Sequence, residues 1–221
     1  TGGQAALHLL ARTLVSRGDR AIVESPGYPH AFAAFQGAGA RLVPVAVTSE
    51  DGWDAAGLEQ SFARTSPTLA HLMPEFQNPT GRSMDEETRA RVLALAQREG
   101  TTLVIDETLT GLGLDGQPRT PPFPAGRGVV LVGSVSKSIW GGLRIGWVRA
   151  DRGLVQRMAR TRFSSDLGTP VLEQLIAAEL VPDYERILSG RRAYLRQGRD
   201  HLAKRLRAAL PEWRMPHVEG G

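Results

Sequence analysis

Two short runs constrain this chain more than any other feature: TTLVID (101–106) and GVVLVGS (128–134). Both are apolar and β-branched, with no polar residue at alternate positions. That is the pattern of strands buried on both faces, and such strands need helices above and below them. The rest of the chain supplies the helices. QAALHLLARTLVSRGD (4–19) places Leu7, Leu10, Ala11 and Leu14 on one helical face, with Gly18 as a stop. HAFAAFQGAG (30–39), DAAGLEQSFART (54–65, N-cap Asp54) and SMDEETRARVLALAQREG (83–100, with acids in its first turn and Gly100 at its end) read as further helices. Between them, RAIVES (20–25), RLVPVAV (41–47), TLAHLMPEF (68–76) and LRIGWVRA (143–150) read as strands. From about 152 the pattern is helical, ending in a long helix over 183–210. DGQPRTPPFPAGRG (115–128) is the one long loop. Strands separated by helices predict an α/β fold with a mainly parallel sheet.

In open α/β sheets, ligands sit at the carboxyl ends of the strands. That rule selects Ser25 to Tyr28, Gln77 to Gly81, Asp106 with Glu107, and Ser134 to Lys137. The last group contains a chemical oddity. Of 27 basic residues only Lys137 and Lys204 are Lys; the other 25 are Arg. A desolvated Lys loses its proton near neutral pH and its amine attacks carbonyls, which Arg cannot do. Lys137 is therefore a candidate Schiff-base lysine, whereas Lys204, in the charged run HLAKRLRAAL, reads as a surface cation.

The neighbouring candidates each have a plain alternative. Asp106, ending a buried strand, needs a partner: a protonated ring nitrogen, a metal or a backbone cap. Ser134, Ser136 and Arg144 suit a phosphate, or else turn chemistry and a salt bridge. Gly3 and Gln4, in a Gly-rich turn opening a helix, offer free backbone N–H groups to an anion. Asn78, the chain's one Asn, sits in the turn QNPTG, where its amide has a phenolate oxygen or only the turn itself to bond. Tyr28 in SPGYP presents its ring to a flat ligand or packs as a turn residue.

Other chemistries fit less well. GLGLDG (111–116) matches the dinucleotide fingerprint, but the following QPRTPPFP cannot open the helix that motif needs. SVSK (134–137) matches the S-x-x-K of penicillin-interacting serine enzymes, but no K-T-G follows. His8, His30, His71, His201 and His217 lack metal-ligand spacing and read as single core or surface histidines. The net charge of +4 comes from Arg scattered along the chain, without the clustered patch of a nucleic-acid surface. The chain holds no run of about 18 apolar residues, so no membrane span is expected. Zero Cys agrees with a cytoplasmic setting.

Taken together, TGGQAAL, SPGYP, QNPTG, VIDE and SVSKSIWGGLRIGW resemble the class I/II aminotransferases of the pyridoxal-phosphate (PLP) superfamily, in the family's order and over nearly the whole chain. The nearest look is to the aminotransferase-like domains of MocR-type regulators, which carry an N-terminal winged helix of the GntR kind. The resemblance implies a three-layer α/β/α sandwich on a mostly parallel sheet, with LRIGWVRA antiparallel. It implies that Lys137 forms the Schiff base with PLP, Asp106 keeps the ring nitrogen protonated, Asn78 bonds the phenolic oxygen and Tyr28 stacks on the ring. Ser134, Ser136, Arg144 and the backbone at Gly3 and Gln4 would hold the phosphate. The implied substrates are an amino acid and a 2-oxo acid, the assembly a homodimer, and any DNA contact would lie in a winged helix upstream. Residues 1–210 would be the large domain and 211–221 the start of a small one, both ends reading as cuts through a longer protein. Two departures stand out. Leu109 occupies the place where many relatives have a Tyr, and the spacing from Lys137 to Arg144 is one residue short. The family's Arg for the substrate α-carboxylate lies beyond Gly221.

Overall fold

The computed structural model describes residues 1–116 and 121–221. Part of the loop read over 115–128 therefore lies outside the described residues. The sheet is formed by β1 (Arg20–Ser25), β2 (Arg41–Thr48), β3 (Gly52–Trp53), β4 (Leu69–Leu72), β5 (Thr102–Asp106), β6 (Val129–Ser134) and β7 (Gly146–Arg149), in the order β3-β2-β1-β4-β5-β6-β7. Strands β2, β1, β4, β5 and β6 run parallel. β7 pairs antiparallel with β6, as expected. The two-residue β3, antiparallel to β2, is an edge pairing that was not anticipated, because two residues carry no readable period.

The helices are α1 (Gly2–Leu14), α2 (Pro29–Gly37), α3 (Ala55–Thr65), α4 (Glu86–Glu99), α5 (Arg152–Arg162), α6 (Val171–Leu180) and α7 (Tyr184–Ala209). Alternate residues of the central strands point into two separate cores. Ala21, Val23, Val104, Val130 and Val132 pack with Leu7, Leu10, Ala31, Phe35 and Leu154, beneath α1, α2 and α5. Ile22, Leu72, Leu103, Ile105 and Leu131 pack with Leu58, Phe62, Val92 and Leu95, beneath α3 and α4. This is the three-layer sandwich that double-faced strands demand. Phe35 and Phe62 are fully buried, one in each core, and truncating either to Ala costs about 3–5 kcal/mol.

Local chemistry sets the element ends. Asp54 and Asp85 cap α3 and α4 by accepting from Gly57 N–H and Thr88 N–H. Gly100 ends α4 in the left-handed region (φ 67°). Pro44 is tolerated in β2 because β3 covers only Val47 and Thr48, leaving the strand's outer side unpaired at Pro44. Three elements differ from the reading above. α1 begins at Gly2 and ends at Leu14, short of Gly18. β4 stops at Leu72 because the Met73 N–H turns inward to a carboxylate. β7 starts only at Gly146, since 141–143 form a 3-10 turn and Arg144 is left-handed.

Candidate active site

Loops at the carboxyl ends of β1, β4, β5 and β6 meet α1 and α7 around a cavity of about 590 Å³. Gly3, Gln4, Tyr28, Asn78, Asp106, Ser134, Ser136, Lys137 and Arg144 all line it. Residues separated by up to 141 positions are thus brought together by strand order alone.

One end of the cavity is built for an anion. Gly2 and Gly3 form the first turn of α1, where backbone N–H groups have no intrahelical partner. Gly2 has φ 78°, a conformation that favours glycine, and a Cβ there would lie 2.7 Å from Arg144 Nη2, so a side chain would displace the guanidinium. Gly146 is equally constrained, since its Cβ would meet the Gly2 carbonyl carbon at 2.6 Å. Arg144 Nη1 donates to Gly141 O (3.3 Å) and Ser136 Oγ (3.5 Å). Ser134 Oγ donates to Ile145 O or Ser136 Oγ, both at 2.9 Å, and accepts from Ser136 N–H (3.1 Å). Two hydroxyls, a guanidinium and a helix N-terminus converge here, which is a phosphate-type donor set.

At the cavity floor, the Asp106 carboxylate is 3 % exposed. Its Oδ1 accepts from Thr108 N–H (2.9 Å), and its Oδ2 lies 3.7 Å from His71 Nε2 on β4. Burial pushes this carboxyl up, but His71 and the Thr108 donors outweigh it, and Asp106 titrates below the ordinary aspartate value. It is a carboxylate kept anionic beneath the cavity. Lys137 sits on the turn after β6, with its backbone carbonyl accepting from Arg191 Nε of α7 (3.2 Å). Asn78 and Tyr28 stand on exposed and half-buried loop positions facing the same space. Tyr28 meets the His30 ring edge-on at 5.3 Å. Leu109, Leu112, Phe76 and Val218 supply apolar wall.

Two supports of this site had no role in the sequence reading. His71, read as an ordinary core histidine, is the electrostatic partner of Asp106. Gln77 is fully buried, donating to Pro26 O (2.8 Å) and accepting from Thr80 N–H and Oγ, so it ties the loop of Tyr28 to the loop of Asn78. The strand-end rule had placed Gln77 in the site region, but nothing in the sequence showed its buried bonds.

A family model described as "Aminotransferase class I and II" matches residues 1–221. The chain belongs to the class I and II aminotransferase family. A 2-aminoadipate transaminase of Thermus thermophilus is 32% identical over all of this aminotransferase-family chain and 57% of its own length. An uncharacterized HTH-type transcriptional regulator of Bacillus subtilis is 29% identical, over 98% of the chain and 46% of its own length. Among solved structures, an alpha-aminoadipate aminotransferase from Thermus thermophilus, complexed with N-(5'-phosphopyridoxyl)-L-leucine, superposes with a TM-score of 0.91 at 29% identity, over the whole chain and 58% of its own. The chain thus spans about half the length of these relatives. No helix among the described residues is long and apolar enough to cross a membrane.

Proposed function

We propose that this chain is the cofactor-binding large domain of a PLP-dependent aminotransferase, which moves an amino group between an amino acid and a 2-oxo acid. The observation that carries this reading is one cavity lined by an amine, a buried carboxylate and a phosphate-type donor set. The residues fit PLP at each end. Arg144, Ser134, Ser136 and the N–H groups at Gly3 and Gln4 would hold its phosphate. Asp106 would hold a proton on the pyridine nitrogen, Asn78 would donate to the phenolic oxygen, and Tyr28 would cover the ring face.

PLP, when bound, supplies an electron sink for the substrate carbanion. Lys137 Nζ would hold the cofactor and, once displaced by substrate, take the proton from the substrate Cα and return one on the other side of the transfer. Asp106 would stay ionised throughout, because His71 and Thr108 favour its anion. Residues 1–210 would form the large domain, and 211–221 would lead into a smaller one that completes the substrate site. Phe163, Leu167, Val171, Leu172 and Leu175 are all more than 60 % exposed, which supports a homodimer covering this strip.

The test is an amino-transfer assay of the full-length protein with PLP and a panel of amino acids and 2-oxo acids. At least one pair should exchange, and Lys137→Ala should stop it. The regulator relatives and Leu109 favour a second reading, in which the same cavity binds PLP as an effector site and DNA is held by a segment outside this chain. PLP binding without turnover on any pair would select it.

A further inference from the structure

Beneath the cavity lies a buried carboxylate to which the reading above gives no role. Glu24 is 2 % exposed, at the end of β1. Three N–H donors converge on it. Oε1 accepts from Trp53 Nε1 (2.8 Å) and from Met73 N–H (3.0 Å), and Oε2 accepts from Gln77 Nε2 (3.2 Å). A carboxylate met by three donors is satisfied as the anion, since a protonated acid would aim its O–H at a donor. These contacts join β1, β3, the end of β4 and the QNPTG turn. Gln77 completes the connection, because the same Nε2 also donates to Pro26 O in the SPGYP loop.

We propose that Glu24 is a positioning residue for the cofactor site: its carboxylate fixes Gln77 and so sets the Tyr28 loop and the Asn78 loop against each other. Glu24 touches neither substrate nor cofactor. The proposal rests on the PLP-binding reading and adds to it a pH-dependent support. Oε2, with its single and longest bond, is the oxygen on which a proton displaces the least. Its protonation expels Gln77 Nε2 and loosens the tie between the loops. Among the described residues, His71 on β4 is the charged or titratable group that faces Glu24; Trp53 on β3, Met73 and Gln77 are neutral. Burial pushes the Glu24 carboxyl up, opposed by His71 and by the donors, and burial wins. The tie is therefore lost at milder acidity than an exposed glutamate would require.

The experiment measures PLP affinity of the full-length protein by absorbance titration across a pH series, for the parent, Glu24→Gln and Trp53→Phe. The parent should lose affinity on the acid side. Glu24→Gln should bind about tenfold more weakly at pH 8, the scale of one bond to a charged group, and should lack that acid limb. Trp53→Phe removes a donor on the side of Glu24 away from the cavity. It should move the acid limb up by about one pH unit, and it decides the matter if Glu24→Gln does not fold. A Trp53→Phe profile superposing on the parent's, or an unmoved acid limb in folded Glu24→Gln, overturns the proposal while leaving PLP binding intact. A parent that binds no PLP at any pH overturns the PLP reading itself, and the proposal with it.

Discussion

His71 Nε2 on β4 lies 3.7 Å from Asp106 Oδ2 on β5, and both side chains are almost wholly buried. The separation is too long for a hydrogen bond, so the coupling is electrostatic. An uncompensated carboxylate at this depth is costly, and removing one partner of a buried pair costs about 3–5 kcal/mol. His71→Leu should lower stability by less than that, read by chemical denaturation, because Thr108 N–H still bonds Asp106 Oδ1. Asp106 titrates below its ordinary value, so its stabilisation is present above the unfolded pKa of about 4 and is lost as pH falls through the folded value. The gap between parent and variant should narrow in that acid range. A constant gap would remove the electrostatic account.

The phosphate end makes a separate prediction. Arg144 donates there through Nη1 to Gly141 O and Ser136 Oγ. Arg144→Gln should weaken PLP binding by one to two orders of magnitude, about 1.5–3 kcal/mol for a charge-assisted bond. Affinity for pyridoxal, which lacks the phosphate, should change little. Equal losses for both ligands would move Arg144 out of the phosphate site.

Gly2 tests the same end through the backbone. Gly2→Ala combines left-handed strain of about 1–2 kcal/mol with a Cβ at 2.7 Å from the Arg144 guanidinium. PLP affinity should fall by about tenfold as Arg144 is pushed aside. Gly190→Ala, in α7 with open space around it, serves as the control and should bind as the parent does.

Much of this was legible in the sequence, for physical reasons that also explain what was missed. TTLVID and GVVLVGS could only be strands covered on both faces, and two separate cores follow from that. Six of the nine predicted cavity residues, Tyr28, Asn78, Asp106, Ser134, Ser136 and Lys137, fall in the segments to which the ligand rule for parallel sheets points. His71 and Glu24 lie inside LAHL and RAIVES, where a lone polar residue carries no signal until a neighbouring strand brings it a partner. β3 was too short to show a period. The turn at Arg144 shortened β7 because Gly141, Gly142 and a left-handed Arg144 break the extended run that LRIGW suggests by composition.

The exposed strip on and before α6 predicts self-association. Leu175 is 63 % exposed, and burying such a side chain contributes about 1.5–3 kcal/mol per protomer. Leu175→Asp should shift the full-length protein from dimer towards monomer in light scattering, with thermal unfolding otherwise retained. A parent that is already monomeric at micromolar concentration contradicts the dimer proposal.

Lys137 is proposed to carry the cofactor, and Lys204 is the chain's only other lysine, so a label on this chain has two candidate sites. The full-length protein is mixed with PLP, reduced with borohydride and digested, and the phosphopyridoxyl mass is mapped by peptide mass spectrometry. The label should fall on Lys137 and should disappear from this chain's peptides in Lys137→Ala. A label on Lys204 with Lys137 unmodified, or no label on either, would contradict it.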